Sequence, residues 1–168
     1  MDLRNYINSY KDFPKKWIDF KDISPILWNN NALNFVINSF EVMSWNPTKI
    51  VWLDARWFIF WSLLANKMWL PFVMIRKKWK LPWECECISY DLEYWTNEFE
   101  IQKDSIKKGD KIVLVDDLLA TWWSVKAWVE LIERLWWEVT CINTVIELEA
   151  LGARSMISDY KINSLLKY

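Results

Sequence analysis

The sequence predicts an α/β fold in which helices flank a central, mainly parallel sheet. Apolar segments of strand composition alternate with segments of helical periodicity, which is the pattern of parallel strands joined by helical crossovers. Two predicted strands, at 49–55 ("KIVWLDA") and 111–117 ("KIVLVDD"), end near acidic residues. Ligands of such sheets bind at the carboxyl ends of the strands, so we expect a site there. At 168 residues, the chain is long enough for one domain, 1–168, with a substantial core.

Composition argues against several classes of protein. The formal net charge is -1, from 21 basic and 22 acidic residues, so there is no general signal for nucleic-acid binding. No apolar run approaches the roughly 20 residues of a membrane span, and segment 1–16 is too polar for a signal peptide. Cys85, Cys87 and Cys141 form no disulfide framework, and a chain without histidine lacks the usual zinc ligands. These features predict a protein of the reducing cytoplasm.

The tryptophan count is abnormal, because the chain has 15 tryptophans and 2 glycines. An ordinary glycine content of roughly 7% would give about a dozen. The tryptophans occur in turns and at helix–strand junctions, where glycine is usual. Examples are Trp17, Trp45, Trp79, Trp83, Trp136 and Trp137. We infer that most or all stand at glycine positions; the simplest cause is a gene that reads UGA as glycine, translated with a code that reads UGA as tryptophan. The alternative is a genuinely tryptophan-rich protein with stacked or caged indoles.

The first half of the chain predicts two helices before the sheet begins. Residues 2–11 suit a short helix, and "NALNFVINSFEVM" at 31–43 suits an amphipathic helix with one apolar face. The buried strand at 49–55 is followed by a helix at about 57–67. The next strand is expected at 70–77.

The second half begins with a polar, turn-rich excursion at 78–101. Alternating polar and apolar residues around 85–91 and 95–101 predict a β-hairpin arm there. The turn at 108–110 then leads back into the sheet. The remaining elements are a strand at 111–117, a helix at about 123–135 and a strand at 138–146.

Residues 112–124, "IVLVDDLLATWWS", carry the clearest chemical pattern. Asp116 and Asp117 can accept hydrogen bonds from the vicinal hydroxyls of a ribose. The residues that follow can bind a phosphate with backbone N–H groups and hydroxyls at the start of a helix, whose dipole favours an anion. They are Ala120, Thr121, Trp122, Trp123 and Ser124. For the aspartate pair alone, a simple helix cap is an equally good explanation.

With glycine at 122 and 123, this stretch resembles the phosphoribosyl-diphosphate (PRPP) signature of type I phosphoribosyltransferases, and "LLATGG" resembles the adenine-using branch of that family. The resemblance covers nearly the whole chain from about residue 12. It implies the type I phosphoribosyltransferase fold, with a small β-hairpin hood at about 78–101 that closes over the site. It also implies Mg²⁺ as cofactor, adenine and PRPP as substrates, a homodimer, and no nucleic-acid or membrane partner.

Two segments of the first half extend the resemblance to individual residues. "FPKKWIDFKDISPIL" is similar to a segment in which a phenylalanine packs on the purine; here that residue is Phe20, followed by Lys21. "LDARWFIF" is similar to the diphosphate loop of the family and assigns Arg56 to the diphosphate. Asp54 stands where the family commonly has glutamate.

Three later segments complete the implied site. "RKKWKLPW" makes Arg76, Lys77 and Lys80 candidates for binding the diphosphate, and "LEYW", with "EIQKD" further on, resembles the hood motif. That motif nominates Glu93 as the general acid or base at a purine nitrogen and Tyr94 as a diphosphate contact in the closed hood. "NTVIELEALGARSMI" is similar to a segment of the base pocket and subunit contacts. The catalytic residues implied are Arg56, Glu93, Asp116 and Asp117.

Other interpretations remain open at this point. Phe20 could instead belong to a plain core, and the basic run 76–80 could lie on a solvated face, as charge runs usually do. A glutamate in a hairpin, such as Glu93, is more often exposed than catalytic. The chain could use hypoxanthine, guanine, xanthine or orotate, could sense PRPP without catalysis, or could be a tryptophan-rich binding module. Real indoles at Trp122 and Trp123 would occupy the phosphate loop, so we expect the tryptophan-containing chain to be inactive.

Overall fold

The computed structural model describes residues 1–53, 58–92, 95–120, 122–135 and 138–168. Four of the predicted site residues, Arg56, Glu93, Tyr94 and Thr121, lie outside these ranges, as does Asp54. The side chains of Trp122, Trp123 and Ser124 are likewise outside the described part of the chain.

A seven-stranded sheet organises the described fold. Its strands are β3 (Lys49–Leu53), β4 (Phe72–Lys77), β5 (Cys85–Leu92), β6 (Trp95–Gln102), β7 (Lys111–Leu119), β8 (Glu138–Glu147) and β9 (Ile162–Lys167). They lie in the order β5-β6-β4-β3-β7-β8-β9. Strands β4, β3, β7, β8 and β9 pair in parallel with one another. The antiparallel hairpin β5–β6 extends the sheet by pairing β6 with β4. The predicted mainly parallel sheet and the predicted hairpin are both confirmed.

Helices cover both faces of this sheet. They are α1 (Ser24–Trp28), α2 (Asn30–Met43), α3 (Phe58–Met68), α4 (Trp122–Glu133) and α5 (Ala153–Met156). Along β7, Ile112 and Leu114 pack in the same core as α4, whereas Val113 and Val115 pack in the core formed with α2 and α3. Successive side chains of a strand point to opposite faces, so a strand covered on both sides requires the continuous apolar run seen here.

The predicted helix at 2–11 is wrong. Leu3–Tyr6 forms a 3₁₀ turn, and Asn8–Lys11 forms strand β1, which pairs antiparallel with β2 (Asp19–Asp22). A short helix gains little from its own hydrogen bonds in water, whereas β2 supplies a complete ladder for β1. The partner strand lies about ten residues further on, so the local pattern did not reveal the pairing.

The other predicted elements agree with the structure to within a few residues. The helix expected at 31–43 is α2, which begins at Asn30 because Asn29 caps it; Asn29 Oδ1 accepts a hydrogen bond from the amide of Ala32 at 3.0 Å. Strand β9, for which the sequence analysis made no prediction, pairs with β8 at the edge of the sheet. No described helix is long and apolar enough to cross a membrane.

Several tryptophans occupy unfavourable environments. Six non-glycine residues in the described ranges have positive φ, and four of them are tryptophans with exposed side chains. These are Trp17 (75°), Trp69 (54°), Trp79 (70°) and Trp83 (71°). The indole N–H groups of Trp61 and Trp128 are buried without a hydrogen-bond partner among the described residues. Positive φ strains any residue with a Cβ, and an unsatisfied buried donor costs about 1–3 kcal/mol.

Candidate active site

The connections between the parallel strands change direction at strand β3. The chain passes from β3 to β4 on one side and later returns to β7 on the other side. In a parallel sheet, the loops that follow two such strands diverge and leave a crevice at their carboxyl ends. Among the described residues, pairing of β7 with β3 reaches Val115, and pairing with β8 continues to Leu119. Asp116 and Asp117 lie near the carboxyl end of β7 and therefore on the side of the sheet where this crevice opens.

The aspartate pair is electrostatically strained. Asp116 is half-buried, and its Oδ1 accepts a hydrogen bond from the amide N–H of Asp117 at 3.0 Å. Burial, and then the negative charge of the neighbouring Asp117, raise the pKa of Asp116 well above its ordinary value. Such a pair is suited to accept hydrogen bonds from the two hydroxyls of a ribose.

A helix N-terminus follows the aspartate pair directly. Strand β7 ends at Leu119, and the 12-residue helix α4 begins at Trp122. The first N–H groups of a helix have no partner within the helix and face a favourable dipole for an anion. The predicted phosphate loop thus runs from Ala120 into the first turn of α4, and Thr121 between them lies outside the described residues. Its phosphate contacts stay a prediction.

Two of the predicted basic residues have ammonium groups with no partner in the described part of the chain. Lys77 is the last residue of β4, and Lys80 lies in the loop that follows. Both are exposed, and neither side chain has a hydrogen-bond or ion-pair partner within the described residues. Lys78, by contrast, donates from Nζ to Glu98 Oε1 at 2.7 Å. This pattern leaves Lys77 and Lys80 available to an anionic ligand.

Glu100 is a buried residue to which the family resemblance assigns no role. Its carboxylate is buried, with 4% of the residue exposed, and accepts hydrogen bonds from the amides of Lys80 and Leu81. The alternation of "EFEIQ" on β6 indicated a polar face. The strand register that brings this face against the loop could not be derived from it.

Phe20 lines an aromatic cavity beside the small β1–β2 sheet. The cavity has a volume of about 670 Å³ and is lined by Tyr10, Lys11, Asp12, Phe13, Phe20, Asp22 and Ser24. The rings of Phe13 and Phe20 meet edge to face, with centroids 5.3 Å apart. A cavity of this size with aromatic walls suits a planar base. The predicted contact between Phe20 and the purine remains a prediction.

Lys21, the other residue predicted at the base, has structural partners. Its ammonium group donates to Asp19 Oδ2 at 2.9 Å and to Ser9 Oγ at 3.0 Å, and it lies 4.6 Å from the centroid of the Tyr168 ring. Hydrogen bonding to Lys21 is the largest cause of a lowered pKa at Asp19. These contacts hold β2 against β1 and the C-terminal residue.

The C-terminal segment is fixed by an ion pair whose carboxylate is buried. The guanidinium of Arg154 donates to Glu147 Oε1 at 2.8 Å and to Oε2 at 2.6 Å. Glu147 is 2% exposed, and its hydrogen bonds with Arg154 lower the pKa of its carboxyl. A cavity of about 610 Å³ lies beside this pair. Because the pair is internally satisfied, it explains how the loop after β8 is held but offers no free group for chemistry.

The acidic groups of the crevice are compatible with Mg²⁺ that arrives with a substrate. Among the described residues, no cluster of three histidine, cysteine, aspartate or glutamate side chains could enclose a metal ion. Mg²⁺ commonly binds through one or two carboxylates together with substrate phosphates and water. Asp116 and Asp117 provide oxygen donors of that kind.

No family model matches the chain, but individual proteins match it over its full length. It is 44% identical to the adenine phosphoribosyltransferase of Clostridium botulinum (strain Hall), over 100% of this chain and 99% of the relative. The crystal structure of the Thermoanaerobacter pseudethanolicus enzyme superposes with a TM-score of 0.92 at 38% identity, over 99% of this chain and 98% of that one. The Saccharomyces cerevisiae enzyme, complexed with an imino-altritol bisphosphate and adenine, gives 0.92 at 35%, over 98% and 96%. The sheet therefore has the type I phosphoribosyltransferase fold, and the chain belongs to the adenine phosphoribosyltransferase family.

Proposed function

We propose that this protein transfers 5-phosphoribose from PRPP to adenine, forming AMP and diphosphate. The observation that carries the proposal is the position of Asp116 and Asp117 near the carboxyl end of β7, a short loop before the N-terminus of α4. A ribose 5-phosphate spans these two features, because its hydroxyls require acceptors and its phosphate requires donors. The full-length relationship to adenine phosphoribosyltransferases supports the same substrates.

In this mechanism the protein stabilises charge as the bond between the anomeric carbon and diphosphate breaks. The departing diphosphate gains negative charge, which Arg56, Lys77 and Lys80 would neutralise, with Tyr94 holding the closed hood over it. Mg²⁺ held by PRPP, water and the aspartates would add positive charge at the diphosphate. Asp116 and Asp117 keep the ribose in place while the anomeric carbon is cationic. The hood at about 78–101 would exclude water that otherwise captures this cation.

Adenine would bind in the aromatic cavity of Phe20 and attack the anomeric carbon through a ring nitrogen. Glu93 is proposed to exchange a proton with the purine as the new bond forms. The edge-to-face contact of Phe13 with Phe20 fixes the ring on which the base would stack. Lys21 would act through its contacts with Asp19 and Ser9, which hold β2 in place.

We infer that the functional protein carries glycine at most or all of the tryptophan positions. Positive φ at Trp17, Trp69, Trp79 and Trp83 supports this inference, since glycine alone adopts such φ without steric cost. The indole N–H groups of Trp61 and Trp128 also support it, because they are buried without a hydrogen-bond partner among the described residues. With tryptophan at 122 and 123, the phosphate loop would bind PRPP poorly, so we expect the tryptophan-containing chain to be inactive.

The test is AMP formation from adenine, PRPP and Mg²⁺ by two chains, the one with tryptophan and one with glycine at all fifteen positions. Activity in the glycine chain alone supports both the reaction and the glycine inference. Activity in neither, with the glycine chain folded, overturns the assignment of adenine. Competition with hypoxanthine, guanine, xanthine and orotate then identifies the base.

We also propose a cytoplasmic homodimer. The three cysteines are free, which suits a reducing compartment, and the C-terminal segment after β8 resembles one that forms subunit contacts. Sedimentation equilibrium of the glycine chain tests the dimer, and a monomer at micromolar concentration would contradict it.

A further inference from the structure

Three alternate side chains of β6 hold the loop that follows β4. Nζ of Lys78 donates to Glu98 Oε1 at 2.7 Å, and the side-chain amide of Gln102 donates to the carbonyl oxygen of Pro82 at 3.1 Å. Glu100 lies between these two positions on the strand. Alternate residues of a strand point to the same face, so the three side chains form one row. The loop is therefore bound to β6 at successive positions along its length.

The central contact of this row is the strongest. Glu100 Oε1 accepts hydrogen bonds from the amides of Lys80 at 2.7 Å and Leu81 at 2.6 Å. Two successive N–H groups that converge on one anion form a backbone nest, and an ionised acceptor makes such bonds short and strong. The loop changes direction on both sides of the nest, at Trp79 and Trp83, where φ is positive. The buried carboxylate thus fixes the loop where its backbone turns.

This contact determines where the ammonium group of Lys80 can reach. Its backbone is bound to Glu100, while its exposed side chain has no hydrogen-bond or ion-pair partner within the described ranges. Lys77, on the last position of β4, pairs in register with Phe99, the neighbour of Glu100. Two adjacent residues of β6 therefore position the two lysines: Phe99 pairs with Lys77, and Glu100 binds the amide of Lys80.

We propose that Glu100 is a positioning residue that holds Lys80 for binding of the diphosphate group of PRPP. It acts through the backbone of Lys80 and does not touch the substrate. The inference rests on the proposed function, because that function makes diphosphate the ligand of Lys80. A positioning role differs from a general structural role, because its loss weakens diphosphate binding selectively.

The test compares Glu100→Gln with the matched control Glu98→Gln on the same strand face. The glutamine side chain keeps an acceptor of the same shape but removes the charge that holds the two amides. Both variants are made in whichever chain forms AMP, the one with tryptophan or the one with glycine. E100Q should raise the KM for PRPP and the Kd for diphosphate about five- to tenfold, and it should change the KM for adenine less than about twofold. E98Q should change none of the three by more than about twofold, since its partner Lys78 is not a diphosphate ligand.

A double variant separates positioning from folding. If Glu100 acts through Lys80, then E100Q should add little to the effect of Lys80→Ala, and the two losses will not multiply. Multiplicative losses, an unchanged Kd for diphosphate in E100Q, or parallel rises in both KM values would each overturn the proposal. Diphosphate binding is measured by calorimetry without turnover. Binding without AMP formation would therefore overturn the proposed reaction alone, and a parent protein that binds no diphosphate would overturn the role of Glu100.

Discussion

Strand β7 has an aspartate near each end, and the two experience opposite environments. Asp110, just before the strand, accepts hydrogen bonds from Thr48 Oγ1 at 2.9 Å and from the amide of Lys107 at 2.8 Å, and it lies 2.9 Å from Nζ of Lys49. Burial alone would raise its pKa, but these hydrogen bonds outweigh burial and lower it. At the other end, burial and Asp117 raise the pKa of Asp116.

The contrast separates stability from function along one strand. At the amino edge of the sheet, the protein neutralises its own carboxylate, so Asp110 contributes to folding. At the carboxyl edge, it places Asp116 beside a second carboxylate, whose charge raises the pKa of Asp116. Ligands of parallel sheets bind at this second edge. Strained carboxylates there are consistent with a site that is completed by substrate.

The largest expected effect is that of Asp116→Asn on activity. An amide cannot accept hydrogen bonds from ribose hydroxyls as strongly as a carboxylate, so kcat/KM for PRPP should fall about a hundredfold. Steady-state kinetics measure this, with Asp110→Asn as the control on the same strand. D110N should keep kcat/KM within about threefold, and equal losses in the two variants would remove the distinction between the edges.

The same substitution should stabilise the protein at neutral pH. The pKa of Asp116 is higher in the folded state than its unfolded value near 3.8, so the folded state retains a proton that the unfolded state has lost. Stability is therefore lost as pH rises through the folded pKa, and the uncharged amide of D116N avoids this loss. The gain in Tm for D116N over the parent should be larger at pH 8 than at pH 4. A gain independent of pH would contradict the assigned cause.

The second effect is a loss of stability in Asp110→Asn, with the opposite pH dependence. The pKa of Asp110 is lowered in the folded state, so its contribution is present above the unfolded value and is lost as pH falls through the folded pKa. The side chains of Asp110 and Lys49 are 16% and 14% exposed, so the loss at pH 7 should be about 2 kcal/mol. Urea denaturation at pH 7 and at pH 3 measures it, and the difference between D110N and the parent should shrink at pH 3.

The sequence was sufficient to predict strand β7 and its carboxyl end, but not the non-local contacts elsewhere in the fold. A continuous apolar run followed by Asp116 and Asp117 predicted a strand that ends near these aspartates, and β7 confirms it, because burial and strand ends leave local patterns. The role of the two aspartates stays a prediction. The helix expected at 2–11 was wrong because pairing with β2 is a non-local interaction. Glu100 is the first residue of the "EIQKD" stretch of the hood motif, but no role followed from that match, since its importance depends on the register between β6, β4 and the loop after β4. A local pattern does not contain that register.

The third effect concerns backbone strain at a tryptophan with positive φ, as opposed to the electrostatic strain at Asp116. Trp69 lies just before β4, is 93% exposed and has a φ of 54°. Trp69→Gly should stabilise the protein by about 0.5–1 kcal/mol, because relief of the positive φ exceeds the entropy cost of glycine. The matched control is Trp28→Gly, since Trp28 is also exposed but lies in helix α1. Trp28 is the last residue of that helix and does not have a positive φ, so glycine there relieves no strain and should not stabilise the protein. Equal changes at the two positions would show that φ is not the cause.

The smallest effect concerns a carboxylate that is paired but exposed to water. Glu98 is paired with Lys78 at 2.7 Å, but both side chains are about one-third exposed. Water already solvates both charges, so the bond that lowers the pKa of Glu98 contributes little to folding. Glu98→Gln should therefore leave Tm within about 1 °C of the parent, in contrast to D110N. A loss of stability in E98Q as large as that in D110N would mean that pairing stabilises carboxylates in this protein regardless of their burial. The hydrogen bonds of Asp110 would then not distinguish the amino edge of the sheet.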